Sequence, residues 1–258
     1  MKYYVADAFA EELFKGNPAG VCLLDQWISD NTMQSIAAEN NLAETAFLVK
    51  NGEDYELRWF TPECEIDLCG HATLGSAFVL MNTSEKDKDK IVFHSKSGAL
   101  TVKRNREQYI MDFPSRKPAP VEIPENLAAA LGVEILGTYR SRDLLVLLKD
   151  EETVKHLAPD FERLKAFESY FGIVVTAQGT GSDFVSRYFA PNAGIPEDPV
   201  TGSSHCTLIP FWSERLIRTE MTAKQLSKRG GILYCKDCGE RVEIGGKAKL
   251  YLTGEINL

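Results

Sequence analysis

Among 258 residues, Glu44 is the side chain best placed to move a proton. In Leu42-Ala43-Glu44-Thr45-Ala46-Phe47-Leu48-Val49, strand alternation sets it on one face with Leu42, Ala46 and Leu48. A carboxylate among apolar neighbours loses solvation, which favours its neutral form and suits a general acid/base working near neutral pH. The plainer alternative is an edge-strand glutamate facing water, where most glutamates are found.

Two glycine loops offer the complementary chemistry. Leu68-Cys69-Gly70-His71-Ala72-Thr73 and Val200-Thr201-Gly202-Ser203-Ser204 each place a glycine turn before a helix-like run. Backbone N–H groups at such a helix start point outward at the positive end of the dipole, a cradle for an anion. A pair of them would grip a carboxylate or steady an enolate-like intermediate. Neither loop contains a GxGxxG or Walker pattern, so nucleotide phosphate is not indicated. His71 could transfer a proton or donate to substrate, or simply cap its helix. Asp198, in Ile195-Pro196-Glu197-Asp198-Pro199, stands beside the second loop, although Asp before Pro is also a common turn signal. Cys69 has Thr201 at its equivalent place, so a racemase with one thiol on each substrate face is not built here. The set suits a single base that removes and returns a proton on one face.

The elements that must position these groups are written twice. Arg58-Trp59-Phe60-Thr61-Pro62 returns 129 residues later as Arg187-Tyr188-Phe189-Ala190-Pro191. At the same offset Ile66 falls on Ile195 and Glu44 on Ile173. An insertion the size of Pro196-Glu197-Asp198 then brings Gly70-His71 onto Gly202-Ser203. A duplicated strand, Pro turn, Gly loop and helix predicts two similar lobes, with the ligand site expected between them. The Pro-rich stretch Pro114-Ser115-Arg116-Lys117-Pro118-Ala119-Pro120 is the best linker. It divides an N-terminal lobe, 1–114, from a C-terminal lobe, 115–246, and the last strand, 247–258, is free to rejoin the first. Both Gly-loop helices are small and apolar with few charges, which predicts burial on every side. Pro210 should kink the second.

Bulk properties exclude several classes. The hydrophobic fraction is 44% and the net charge −8, with acids and bases interspersed. The dense cluster Glu85-Lys86-Asp87-Lys88-Asp89-Lys90 is mixed in sign, so there is no nucleic-acid footprint. The longest apolar stretch, near Ala72 to Met81, is too short to span a bilayer, so no membrane partner is expected. Six cysteines without a signal-like start read as reduced thiols of a cytoplasmic protein. Cys235-x-x-Cys238 lacks two further ligands at zinc spacing and reads as a hairpin.

Several segments together resemble the PhzF (phenazine biosynthesis protein F-like) family. They are Gly16-Asn17-Pro18-Ala19-Gly20, Leu42-Ala43-Glu44-Thr45-Ala46-Phe47, Asp67-Leu68-Cys69-Gly70-His71-Ala72-Thr73-Leu74-Gly75 and Glu197-Asp198-Pro199-Val200-Thr201-Gly202-Ser203. Arg229-Gly230-Gly231 and Ile244-Gly245-Gly246-Lys247-Ala248 extend the likeness over essentially the whole chain. The resemblance implies the diaminopimelate epimerase-like fold: α+β, two similar lobes, each a barrel-like, mostly antiparallel sheet wrapped around a central helix. It implies Glu44 as the catalytic acid/base and Gly70, His71, Asp198, Gly202 and Ser203 around a small carboxylate substrate. It implies no cofactor and no metal, and leaves room for a homodimer. The phenazine enzyme of this family isomerises a dihydro-hydroxyanthranilate by moving a proton within the ring system. The alternatives are a one-thiol epimerase using Cys69 and a non-catalytic metabolite-binding protein.

Overall fold

A computed structural model describes all 258 residues, which divide into two compact units, Met1–Asp112 with Gly245–Leu258, and Phe113–Ile244. The first contains β1 (Lys2–Ala8), β2 (Asn17–Leu24), α1 (Asp30–Asn40), β3 (Glu44–Asn51) and β4 (Asp54–Phe60). After these come the short β5 (Glu65–Ile66), α2 (Gly70–Asn82), β6 (Lys90–Ser95), β7 (Gly98–Asn105) and β8 (Gln108–Pro114). The second opens with β9 (Ala119–Val121), α3 (Leu127–Leu131), β10 (Gly137–Arg140), β11 (Leu144–Leu147), α4 (Glu151–Lys155) and α5 (Phe161–Leu164). It continues through β12 (Ile173–Gln178), β13 (Phe184–Ala190), β14 (Ile195–Asp198), α6 (Gly202–Leu216), β15 (Glu220–Gln225), β16 (Gly231–Asp237) and β17 (Arg241–Gly246). The last strand, β18 (Ala248–Glu255), pairs antiparallel with β1 in the first unit.

Strand pairing repeats the duplicated sequence step by step. β1–β2 and β10–β11 are antiparallel; β2–β3 and β11–β12 are parallel. β3–β4 and β12–β13 are antiparallel; β4–β6 and β13–β15 are parallel. β6–β7 and β15–β16 close each unit antiparallel, and β9 flanks β10 as β18 flanks β1.

In the first unit α1 lies on one face of the sheet. Ser29 caps it by accepting from the Thr32 N–H at 3.1 Å, and Asn41 ends it in the left-handed region at φ 49°. Its Met33, Ile36 and Ala37 pack with Tyr3, Cys22, Phe47 and Phe60. α2 packs against β1, β2, β3, β7 and β18, strands from both ends of the sheet order, so the sheet wraps around it. Ten of its thirteen residues are buried, as an apolar helix without a polar face requires. Its small polar groups are satisfied within the helix: Thr73 donates to the Cys69 carbonyl at 2.6 Å and Ser76 to that of Ala72 at 2.7 Å. Gly75 allows close approach, with the Ala6 and Ala19 methyls 3.7 Å from where its Cβ would stand.

α6 plays the same part in the second unit, against β15 and β16, with the Trp212 indole donating to Thr176 of β12 at 2.9 Å. It runs without interruption from Gly202 through Pro210 to Leu216. The core of this unit is built by Leu127, Leu144, Val146, Val175, Val185 and Phe189 with their neighbours. Cys235 and Cys238 flank the end of β16, and the Cys238 N–H donates to the Arg241 carbonyl at 2.9 Å, a turn into β17. No helix is long and apolar enough to cross a membrane.

The structure moves the break in the repeat. Arg58 holds Glu65 through Nε and Nη2 at 2.7 and 2.9 Å, and Arg187 holds Glu197 through the same atoms at 2.7 and 2.9 Å. Likewise Trp59 pairs with Ile66 and Tyr188 with Asp198. Glu197 and Asp198 are therefore the counterparts of Glu65 and Ile66. The three extra residues lie earlier, between Pro191 and Glu197, where a 3₁₀ turn forms at Pro191–Ala193. The expectation that Pro196-Glu197-Asp198 is inserted is corrected accordingly. Pairing also corrects the counterpart of Glu44. Thr45 faces Phe60 as Ile173 faces Phe189, which sets Gly172, not Ile173, at the place of Glu44.

Candidate active site

Parallel pairing of β2 with β3 brings the starts of both strands to one edge, with Ala19 opposite Glu44. The N-terminus of α2 arrives at the same edge. Glu44 is 7% exposed and His71, the second residue of α2, is 5% exposed. His71 Nε2 lies 3.1 Å from Glu44 Oε2. On the other side of the ring, Asn17 Nδ2 lies 3.2 Å from Nδ1, and Cys69 Sγ lies 3.5 Å from the same nitrogen. Gly16 makes the approach of Asn17 possible. Its φ is +67°, and a Cβ there would stand 2.1 Å from the Ala8 carbonyl oxygen.

The electrostatics follow from burial and proximity. Burial pulls the His71 imidazole down, but Cys69 and Glu44 more than reverse this, so its proton affinity stands well above the ordinary value of 6.5. Burial first, and Glu44 second, push the Cys69 thiol up. Cys69 occupies the N-cap of α2 and makes no side-chain bond to the first turn, so the helix start is not closed by its own cap. The arrangement can hold a carboxylate and an imidazole in proton exchange, beside the positive end of a helix. Glu44, Cys69 and His71 could also ligate a metal ion, since one ligand atom from each lies within 4.8 Å of the others.

Asp198, Gly202 and Ser203 gather at the corresponding helix start of the second unit. The Thr201 hydroxyl donates to the Asp198 carboxylate. Thr201, like Cys69, makes no side-chain bond to the helix it precedes. Gln225, a residue the sequence did not single out, locks the loop. Its Nε2 donates to the Asp198 carbonyl at 2.8 Å and its Oε1 accepts the Thr201 N–H at 2.8 Å. Asn17 likewise stood in the sequence only as part of the family-like segment Gly16-Asn17-Pro18-Ala19-Gly20, with no role given to it. Nothing in the local pattern of either announces its long-range contact.

His205, two residues beyond Ser203, carries a pH dependence. It is fully buried, its Nδ1 donates to the Thr201 carbonyl at 2.8 Å, and its Nε2 meets no acceptor. A second proton would bury an unpaired N–H, and this desolvation lowers the group from 6.5 to about 4. The unfolded chain therefore binds the proton more readily than the native one. Stability is complete above pH 6.5 and falls as the pH drops through 6.5 toward 4, by on the order of 3 kcal/mol in the limit. Urea unfolding between pH 7 and 4 checks this. His205→Gln should flatten that part of the profile, and a parallel profile in the variant would remove His205 as the cause.

Comparison with known proteins places these features in a family context. A family model described as "Phenazine biosynthesis-like protein" matches residues 6–254. An uncharacterized isomerase of Pseudomonas aeruginosa is 48% identical over 255 residues, covering 99% of this chain and 98% of that one. The crystal structure of a PhzF-family phenazine biosynthesis protein of Enterococcus faecalis superposes with a TM-score of 0.98. It has 53% sequence identity, covering 100% of this chain and 99% of that one. A predicted epimerase from Pseudomonas aeruginosa is similar in fold, with a TM-score of 0.74 at 21% identity over 99% of this chain and 98% of that one.

Proposed function

The chain belongs to the PhzC-PhzF family of phenazine biosynthesis-like proteins and is an isomerase, and we propose that it moves one proton within a small carboxylate-bearing metabolite with Glu44 as its single acid/base. The observation that carries this reading is the buried contact of Glu44 Oε2 with His71 Nε2 at the start of α2. His71 Nε2, 3.1 Å from Oε2, is placed to approach that oxygen as donor, which leaves Oε1 to take a proton from a substrate carbon. The same carboxyl group then returns the proton to a different carbon, which regenerates the carboxylate and leaves the charge of the enzyme unchanged. The N–H groups of Gly70 and His71, at the positive end of α2, favour the negative charge that develops as the proton leaves. The N–H groups of Gly202 and Ser203 stand in the same way at the start of α6, with the Asp198 carboxylate beside them as an acceptor, and the family resemblance assigns these residues to substrate. Cys69 is the less readily formed base, because burial and Glu44 oppose the ionisation of its thiol.

The test is incubation of the protein with small carboxylic acids in heavy water. Deuterium should enter one carbon of a substrate whose double bond or stereocentre has moved. A protein that binds such acids and neither labels nor isomerises any of them would contradict the proposal. Metal removal gives a separate check: activity should survive dialysis against a strong chelator. Activity lost on chelation and restored by zinc would instead assign Glu44, Cys69 and His71 as ligands.

A further inference from the structure

We infer that Asn17 is a positioning residue for the Glu44–His71 pair, its amide fixing the imidazole so that the proton on Nε2 faces Glu44. This rests on the proposed role of Glu44 and adds a component that neither the repeat nor the family likeness assigned. A neutral imidazole carries one N–H, and the partner on one nitrogen decides where it sits. Asn17 is fully buried, and its Nδ2 stands 3.2 Å from His71 Nδ1. An amide N–H donated to Nδ1 makes that nitrogen the acceptor and puts the ring proton on Nε2, 3.1 Å from Glu44 Oε2. When the ring holds two protons, the carbonyl end of the same amide can turn to accept from Nδ1. Asparagine thus serves both protonation states without moving the ring. The Cys69 thiol, 3.5 Å from Nδ1, is a weaker donor and no substitute.

Two further observations support the assignment. The backbone of Asn17 is fixed on both sides, by the left-handed Gly16 and by its place opposite Ala8 in the β1–β2 ladder. The second unit has lost the whole set together. Leu144 pairs with Arg140 and Ile173 as Gly20 pairs with Val5 and Thr45. The second hairpin has therefore already turned, through Ser141-Arg142-Asp143, before it reaches the place of Asn17, and Gly172 and Ser203 stand where Glu44 and His71 stand. Residues that act as one device are expected to be present or absent as one.

The experiment is the long-range nitrogen–proton NMR spectrum of the His71 ring, without substrate, on the alkaline side of its titration. The wild type should give one tautomer, with Nε2 protonated and Nδ1 bare. In Asn17→Leu the two ring nitrogens should move toward averaged positions as the Nδ1-protonated form appears. Asn17→Ser, which keeps a short polar group, serves if the leucine variant does not fold. A folded variant that retains the single Nε2–H tautomer overturns the inference. On an acid that the wild type labels in heavy water, loss of ring positioning should lower kcat by about ten- to a hundredfold, with KM much less affected. A change confined to KM would also overturn it. Should Glu44→Gln label that acid as fast as the wild type, the single-glutamate reading fails, while the ring spectrum still decides the role of Asn17.

Discussion

Glu44→Gln is expected to lower proton exchange by about two to four orders of magnitude while leaving substrate binding nearly intact. The amide has the size of the carboxyl group, and its oxygen can still accept from His71 Nε2, 3.1 Å away in the wild type. What it cannot do is take a proton and give it back. Because Glu44 is 7% exposed, bulk water is a poor replacement for the lost base. Cys69→Ala is the necessary companion. Its sulfur stands 3.5 Å from the same imidazole, so a one-thiol epimerase would lose its activity with this variant and keep it with the glutamine. The measurement is deuterium incorporation by NMR or mass spectrometry, with substrate affinity determined separately by calorimetry. A Glu44→Gln enzyme of undiminished exchange rate would end the single-glutamate mechanism.

The residues behind this prediction were partly legible before any coordinates. Alternation put Glu44 on one face with Leu42, Ala46 and Leu48 but left open whether that face met the core or water, and the glycine of Leu68-Cys69-Gly70-His71 marked a helix start. The contact between Glu44 and His71 was not legible, because periodicity states which face a residue takes and not which element lies against it. Asn17 illustrates the same limit: its approach to His71 depends on β2 and β3 being parallel neighbours, a pairing that no local pattern encodes. Gln225 reaches the loop at Asp198 and Thr201 from a strand beyond α6, and its long-range bonds left no mark in sequence. The repeat itself was clear from Arg58-Trp59-Phe60, yet its break was misplaced. Identity between Ile66 and Ile195 drew the alignment to the wrong point, whereas the structure aligns the copies through a hydrogen-bonded ion pair in each. Glutamate is common enough in sequence that Glu65 and Glu197 gave no comparable signal.

That duplicated pair supplies an internal control for the cost of an unneutralised buried charge. Arg187 is held by Glu197 at 2.7 and 2.9 Å, and its Nη1 donates to the carbonyls of Val154 and Leu157 at 3.2 and 2.6 Å. Arg58 makes the same bidentate contact with Glu65, but its Nη1 turns to the exposed Asp30 at 2.8 Å. The Arg187 side chain is 10% exposed and that of Arg58 is 20% exposed. Glu197→Gln therefore leaves a guanidinium with only neutral partners in a dry setting, at a cost of about 3–5 kcal/mol. Glu65→Gln leaves Arg58 with a second carboxylate and more water, and should cost about 1 kcal/mol. Arg58 also holds Glu65 down at about 2, so that pair keeps its contribution above the usual carboxylate range and loses it only as the pH falls from 4.5 through 2. Urea denaturation of both variants at pH 7 measures the difference directly. Equal losses would mean that the bidentate geometry, which the two copies share, sets the cost. A larger loss at Glu197 would assign it to burial and the missing second carboxylate, which the copies do not share.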